Sequence, residues 1–449
     1  MNLYQDIFFN SLDKLRGRKT IQRLKFLRQS QSWNIDQIKQ WQLERLNELL
    51  IHAKNNSLYY KKHLSNINLP LRSLSEITKL PILTKDNIRE YKDSIKCSNI
   101  SNDRFVEART GGSTGVPMFY FWDKMGMDWN RGSVYRSAEW AGTALGEKTI
   151  QMSGSHFDYS QSQKLITKFT LFLQRYRDLS VAFLTDDILE EYYQQVIKFK
   201  PTSIWGYASG ITALAKFINQ HHPDSDFSYL KAIMTSSEML WPEQRIIINK
   251  AFKGEKVFNQ YGSREIYIGS ECNAHNGYHV HSEVIIAEII DKDGNSCKPG
   301  ETGRVILTDL SNKAFPFIRY EIGDIGILEK ELKCSCGMEL PRIRQIEGRI
   351  ADVIVLKDRI LTPPNFTLIF SDYPGVKLYQ IRQDKLDEII VLIVPDESFN
   401  DSLKKYIYES IKSMVNSSTS VVLKIVDDIE VSESGKRRFI VSSLGHDYF

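Results

Sequence analysis

Three features of this sequence predict a layered α/β protein with a large N-terminal domain and a small α+β domain at the C-terminus. From about residue 100, strand-like runs alternate with amphipathic helical stretches, the pattern of a sheet covered by helices. The chain has 449 residues, more than one hydrophobic core normally serves. Past residue 350 the pattern shortens to strand, helix, strand. We therefore expect residues 1–348 to form the large domain and 349–449 the small one, with the boundary at Gly348-Arg349-Ile350-Ala351-Asp352.

The elements can be justified in chain order. Among the first thirty residues, Lys14, Arg16, Arg18, Lys19, Arg23, Lys25 and Arg28 face only Asp6 and Asp13. Leu12, Leu15, Ile21, Leu24 and Leu27 recur at helical spacing within that basic stretch. Two readings fit: a helix packed on its own domain, or one lying on an acidic partner or an anionic membrane surface. Asn34 is placed to cap the next helix, whose Leu43, Leu46, Leu50 and Ala53 share one face. The runs RFVEA, MFYFW, KTIQM, AIMTSS, KVFNQY, HVHSEVIIAEII and RVILT read as strands, and DDILEEYYQQVIKF as a helix. In the last hundred residues DEIIVLIVP and VVLKIVDDI read as strands. SLKKYIYESIKSMV lies between them as a helix with Leu403, Tyr406, Ile407, Ile411 and Met414 on one side.

Composition narrows the function. With 42% hydrophobic and 25% charged residues the chain is an ordinary folded protein, and a net charge of +4 is too mild for a nucleic-acid binder. The longest apolar run is far short of a membrane span, and the N-terminus lacks the layout of a secretory signal. Five cysteines do not make a disulfide framework, so a reducing cytoplasm is the expected compartment.

Several segments carry chemistry. In Arg109–Trp122 (RTGGSTGVPMFYFW), the small residues around Ser113, Thr114 and Gly115 can aim backbone N–H groups and hydroxyls at a phosphate. No lysine follows the last glycine and the flanks read strand–loop–strand, so this is not a Walker loop. In Gln260–Glu265, Tyr261 precedes Gly262 and offers a ring to a base, while Glu265 offers a carboxylate to Mg²⁺. Asp324 ends an apolar strand, where a carboxylate can accept from both hydroxyls of a ribose. Arg349 follows at the domain boundary, and Ser434-Gly435-Lys436-Arg437-Arg438 forms a basic loop near the C-terminus. Taken singly, each segment also reads as a surface turn or a solvated charge run.

Two short pairs, Cys272-x-x-His275 and Cys334-x-Cys336, supply four metal-binding side chains, with a glycine close behind each. Joined through the fold they would make a closed tetrahedral site for structural zinc, buried free thiols being the alternative. On this reading Cys97 and Cys297 are plain thiols, and His279 and His281 are strand residues. Trp205 and Tyr207 are weak candidates for the wall of an apolar substrate pocket.

Taken in order, these segments resemble the adenylate-forming superfamily of AMP-producing acid ligases, above all the phenylacetate–CoA ligase-like proteins and their capsule-biosynthesis relatives. The resemblance covers nearly the whole chain. It includes His52–Leu64 (HAKNNSLYYKKHL), Leu80–Tyr91 (LPILTKDNIREY) and Gly300–Asp324 (GETGRVILTDLSNKAFPFIRYEIGD). It implies ATP and Mg²⁺ as cofactors and a small carboxylic acid as substrate. Ser113, Thr114 and Gly115 would hold the β,γ-phosphates, and Ser236, Ser237 and Glu238 would line the adenine pocket. Tyr261 would stack on adenine beside Gly262, Glu265 would hold Mg²⁺ and Asp324 the ribose. Arg349 would support the ribose or phosphate, Asp352 would be the hinge, and Lys436 would meet the carboxylate and α-phosphate.

The sequence also departs from that pattern. Where the CoA ligases have a glycine that lets pantetheine pass, Asp358 stands here, with Pro363 at the aligned proline and Thr367 in place of a following acid. The acyl acceptor is therefore left open between CoA and an amine or hydroxyl of a surface-polysaccharide precursor. A non-catalytic nucleotide-binding protein that keeps the fold is the reading from a different class.

Overall fold

The computed structural model describes residues 5–100, 105–110, 118–153, 171–181, 184–331, 333–349, 353–357, 360–361, 366, 369–370, 375–415, 417–429 and 439–444. The loop residues Ser113, Thr114 and Gly115, the hinge Asp352, Asp358, Pro363, Thr367 and Lys436 lie outside them.

The N-terminal part is helical: α1 (Asn10–Leu15), α2 (Thr20–Ser30), α3 (Ile35–Asn56), α4 (Leu58–His63) and α5 (Lys85–Ile95). Asn34 caps α3 as expected: its side chain accepts from Gln37 N and the Gln37 side chain accepts from Asn34 N, a reciprocal capping box. Leu46, Leu50 and Ala53 on its inner face are fully buried. Ile21, Leu24 and Leu27 of α2 are buried too, so this basic helix packs on its own domain, against the helix of Lys124–Trp140.

A hairpin of β1 (Phe105–Arg109) and β2 (Phe119–Asp123) follows, antiparallel as the strand–loop–strand pattern predicts. The chain then alternates: α6 (Lys124–Trp140), β3 (Thr149–Ser153), β4 (Tyr176–Ser180), α7 (Asp186–Phe199), β5 (Ser203–Tyr207), α8 (Ala208–His221), β6 (Ala232–Ser236), α9 (Pro242–Ala251) and β7 (Val257–Gly262). Six antiparallel strands come next: β8 (Tyr267–Ser270), β9 (Tyr278–Val280), β10 (Ile285–Ile290), β11 (Thr302–Asp309), β12 (Tyr320–Leu328) and β13 (Arg342–Arg349). They join β3–β7 in one eleven-stranded sheet of order β10-β11-β12-β13-β9-β8-β7-β6-β5-β3-β4. The β4-β3-β5-β6-β7 part is parallel and the remainder antiparallel, so β7 is the strand at which the sheet changes character. Ligands in open α/β sheets bind outside the carboxyl ends of parallel strands, so attention falls on the ends of β5, β6 and β7.

One expectation needs correction. HVHSEVIIAEII is not a single strand: β9 ends at Val280 and β10 begins at Ile285. The turn between them is held by a fully buried ion pair, with Arg136 Nη1 2.6 Å from Glu283 Oε1 and Nη2 2.8 Å from Oε2. Arg136 also donates to Leu27 O at 2.9 Å, so the same guanidinium fastens α2, α6 and the turn together.

After β13 come a two-residue pair, β14 (Ile354–Val355) and β15 (Ile360–Leu361), and a separate four-stranded sheet. The latter comprises β16 (Val376–Lys385), β17 (Glu388–Pro395), β18 (Ser420–Ile425) and β19 (Ile440–Ser442), covered by α10 (Asp401–Met414). Leu403, Ile407 and Ile411 of α10 pack with Ile381, Ile389, Val391 and Ile393 in a core of its own.

Candidate active site

Tyr261 is the penultimate residue of β7, with its side chain buried and its hydroxyl donating to Asp324 Oδ2 at 2.8 Å. Burial first, then the neighbouring carboxylate, holds the Tyr261 phenol well above its ordinary pKa, so it remains a proton donor. Asp324 lies on β12, where it is paired in register with Arg349 of β13, and Arg349 Nε stands 3.8 Å from Asp324 Oδ1. Glu265, in the turn between β7 and β8, is buried and accepts from Tyr320 Oη at 3.1 Å. Two carboxylates predicted for ribose and Mg²⁺ are thus each anchored by a buried tyrosine, Glu265 in the turn after β7 and Asp324 in the middle of β12 rather than at the end of a strand as expected.

Sequence reasoning missed Lys85 at this place. It is the first residue of α5, where the Thr84 cap fixes the helix start, and its Nζ donates to Ile322 O at 2.6 Å. Gly323 next to that carbonyl has φ +89, and a Cβ there would lie 3.3 Å from the ammonium. Burial pushes the Lys85 pKa down, while the negative Asp324 and Glu265 oppose that push. The signal was present in LPILTKDNIREY, but it reads locally as a helix cap. Lys85 and Ile322 are 237 positions apart, and only the fold brings them together.

The other predicted residues have mixed surroundings. Ser236 ends β6 and Ser237 has a left-handed backbone with φ 67. Glu238 Oε2 accepts from Ser209 N at 2.9 Å, so its carboxylate holds the start of α8 beside the ends of β5 and β6. Tyr207 precedes α8, half-buried, at the carboxyl end of β5. Trp205 is half-buried and packs against Ala138, Ala141, Ala232, Met234 and Phe258.

The cysteine cluster assembles, with one correction. Cys272, Cys334 and Cys336 meet His279, not His275, and their ligand atoms all lie within 4.8 Å of one another. His275 has a left-handed backbone (φ 50) within a tight turn, and its ring faces Glu271, with Nδ1 3.2 Å from Oε2. Gly277 (φ +102) then brings the chain into β9, where a Cβ on it would strike Ile343 O at 2.7 Å. His279 Nδ1 donates to Leu340 O at 3.3 Å, which leaves Nε2 facing Cys336 Sγ at 3.4 Å. That backbone bond fixes the tautomer a metal needs. Cys272 Sγ and Cys334 Sγ are 3.8 Å apart, matching the edge of about 3.8 Å expected for a tetrahedron with Zn–S of about 2.3 Å. The donor set and spacing fit zinc. Cys97 is buried and Cys297 half-buried, both as free thiols.

Residues 354–443 match the family model for the CapK C-terminal domain. Protein CapK of Staphylococcus aureus is 27% identical over 410 residues, spanning 90% of this chain and 89% of that protein. The phenylacetate–coenzyme A ligase of Aromatoleum evansii is 23% identical, spanning 90% and 94%. Among solved structures, 2-hydroxyisobutyryl-CoA ligase in its postadenylation state superposes with a TM-score of 0.71 at 17% identity, covering 92% of this chain and 91% of that one. At that identity the likeness speaks for the fold. Among the described residues, no helix is long and apolar enough to cross a membrane.

Proposed function

We propose that this chain is an AMP-forming ligase of the adenylate-forming superfamily, in its CapK and phenylacetate–CoA ligase-like branch, as the matched C-terminal domain and the similar proteins support. A carboxylate oxygen of a small acid attacks the α-phosphorus of ATP, the bond to the β-phosphate breaks, and pyrophosphate leaves. An acceptor then attacks the acyl carbon and AMP departs with the oxygen that the acid brought. The observation that carries this reading is the pair of anchored carboxylates, Asp324 on Tyr261 and Glu265 on Tyr320, with Lys85 close to both.

In this reading Asp324 accepts from the ribose hydroxyls and Tyr261 holds it in place while offering its ring to adenine. Ser236, Ser237 and Gly262 border the base, and Arg349 supports the ribose side. Ser113, Thr114 and Gly115 cradle the β,γ-phosphates. Glu265 would hold Mg²⁺, which when bound neutralises phosphate charge. Lys436, on the small domain of residues 349–449, compensates charge at the α-phosphate, with Asp352 as the pivot. An ¹⁸O-labelled acid tests the chemistry. One label should appear in AMP; unlabelled AMP, or ADP as product, would rule out acyl-adenylate formation.

CoA is the acceptor that the named ligases support, with a thioester as product. A second reading, an amine or hydroxyl of a glycan precursor, is favoured by Asp358, a charged residue where the pantetheine arm of a CoA ligase passes a glycine. Incubation of the acyl-adenylate with CoA, hydroxylamine and amino sugars separates them. A thioester formed at a rate matching adenylation supports CoA; hydrolysis alone with CoA, and conjugation to a sugar, supports the second.

The cysteine cluster would hold zinc and clamp the β8–β9 connection to the β12–β13 connection, behind the strands that carry Asp324 and Arg349. A closed four-ligand site supplies folding free energy rather than chemistry. We expect about one zinc per chain by elemental analysis. Cys334→Ser and His279→Gln should lose it and lower the melting temperature by about 5 °C or more, whereas His275→Gln should keep it. Metal retained in the His279 variant and lost in the His275 variant would reverse the ligand assignment.

A further inference from the structure

We infer that the N-terminal helical segment is a docking surface for an anionic lipid membrane, independent of the reaction proposed above. Most of the apolar side chains in this segment turn inward, but two do not: Ile7 is 60% exposed and Leu15 is 85% exposed. Ser11, Lys14 and Leu15 share one face of α1, Ile7 lies in the π-helical turn Gln5–Phe9 that leads into it, and each of these residues is exposed. Lys14, Arg16, Lys19 and Lys25 are exposed around them.

Among the described residues, no ion pair meets Lys14, Arg16, Lys19 or Lys25. Between residues 7 and 25 the one acid is Asp13, whose carboxylate accepts from Ile21 N at 2.8 Å. Asp128, the acid that α6 brings nearby, is buried. It accepts from Lys19 N at 2.8 Å and Thr20 Oγ1 at 3.0 Å, and lies 3.7 Å from Arg18 Nη1. Acids are consumed inside and cations stand outside. Aliphatic tips flanked by cations match the interfacial region of a bilayer, where the tips enter the acyl boundary and the cations meet lipid phosphates. An acidic protein would use the cations but would leave Leu15 and Ile7 without an apolar partner.

The test is co-sedimentation of the full chain with vesicles of phosphatidylcholine, with and without phosphatidylglycerol. The wild-type chain should partition onto the anionic vesicles and not the neutral ones, and release at high salt. The triple variant Lys14→Ser/Arg16→Ser/Lys19→Ser should bind about a hundredfold more weakly, at about a fivefold loss per cation. Leu15→Asp should weaken binding about tenfold. Since these side chains are exposed, unchanged melting temperatures and adenylation rates should accompany the loss. Equal binding to neutral vesicles, no binding to anionic ones, or full binding by the triple variant would overturn the inference. So would binding to soluble polyglutamate that matches the anionic vesicles and ignores Leu15→Asp, which would assign the surface to an acidic protein.

Discussion

Lys436→Ala should slow acyl-adenylate formation by about a thousandfold while leaving ATP affinity within several-fold of normal. Adenylation brings a carboxylate onto a polyphosphate, two anions whose repulsion is greatest as the new bond forms. A lysine that compensates charge at the α-phosphorus therefore acts chiefly in the transition state, and its loss falls on turnover rather than on binding. On the proposed reading Lys436 belongs to the small domain, whereas Asp324 lies on β12 of the main sheet and Glu265 in the turn between β7 and β8, so its use would require the two parts to close on each other. A preformed acyl-adenylate should still pass to the acceptor in this variant, because the second step no longer needs the lysine. Asp352→Pro should do the opposite, sparing adenylation and impairing transfer by stiffening the pivot. Single-turnover measurements of each half-reaction separate these effects. Equal slowing of both steps by Lys436→Ala would rule out the swivelling lysine.

Glu265→Ala should lower adenylation turnover by about a hundredfold and raise the magnesium concentration needed for half-maximal rate. The carboxylate is buried and held by Tyr320, so alanine removes a fixed anion and leaves the Tyr320 hydroxyl without its acceptor. Glu265→Gln separates the two losses: it keeps an acceptor for Tyr320 but no charge for a cation. If the glutamine variant is as slow as the alanine variant, charge is what matters. If it is near normal, with ordinary magnesium dependence, Glu265 is a structural partner of Tyr320.

Much of this architecture could be read before the structure was seen, for identifiable reasons. The helix at Asp186–Phe199 falls on the span its periodicity defines, because Leu189, Tyr192 and Val196 make a continuous apolar face. The parallel strands were legible as short apolar runs, and the small domain as strand, helix, strand. What escaped was set by long-range geometry. The Cys-x-x-His spacing pointed to His275, yet a left-handed residue in that turn swings its ring onto Glu271 and lets His279 take the place. The strand break after Val280 depends on Arg136 from α6, whose partner Glu283 is 147 positions away. Lys85 reads as part of a helix start because its partner, the carbonyl of Ile322, is far away in the sequence.

Acid-dependent exchange of label between pyrophosphate and ATP tests acyl-adenylate formation most directly. With Mg²⁺ and a panel of aryl, acyl and hydroxy acids, but no CoA or other acceptor, label should enter ATP for at least one acid and not without acid. Lys436→Ala should reduce that exchange to near background. A chain that binds ATP yet gives no exchange with any acid would be a nucleotide-binding protein on a ligase fold, and the reaction assigned to Asp324, Glu265 and Lys436 would be wrong.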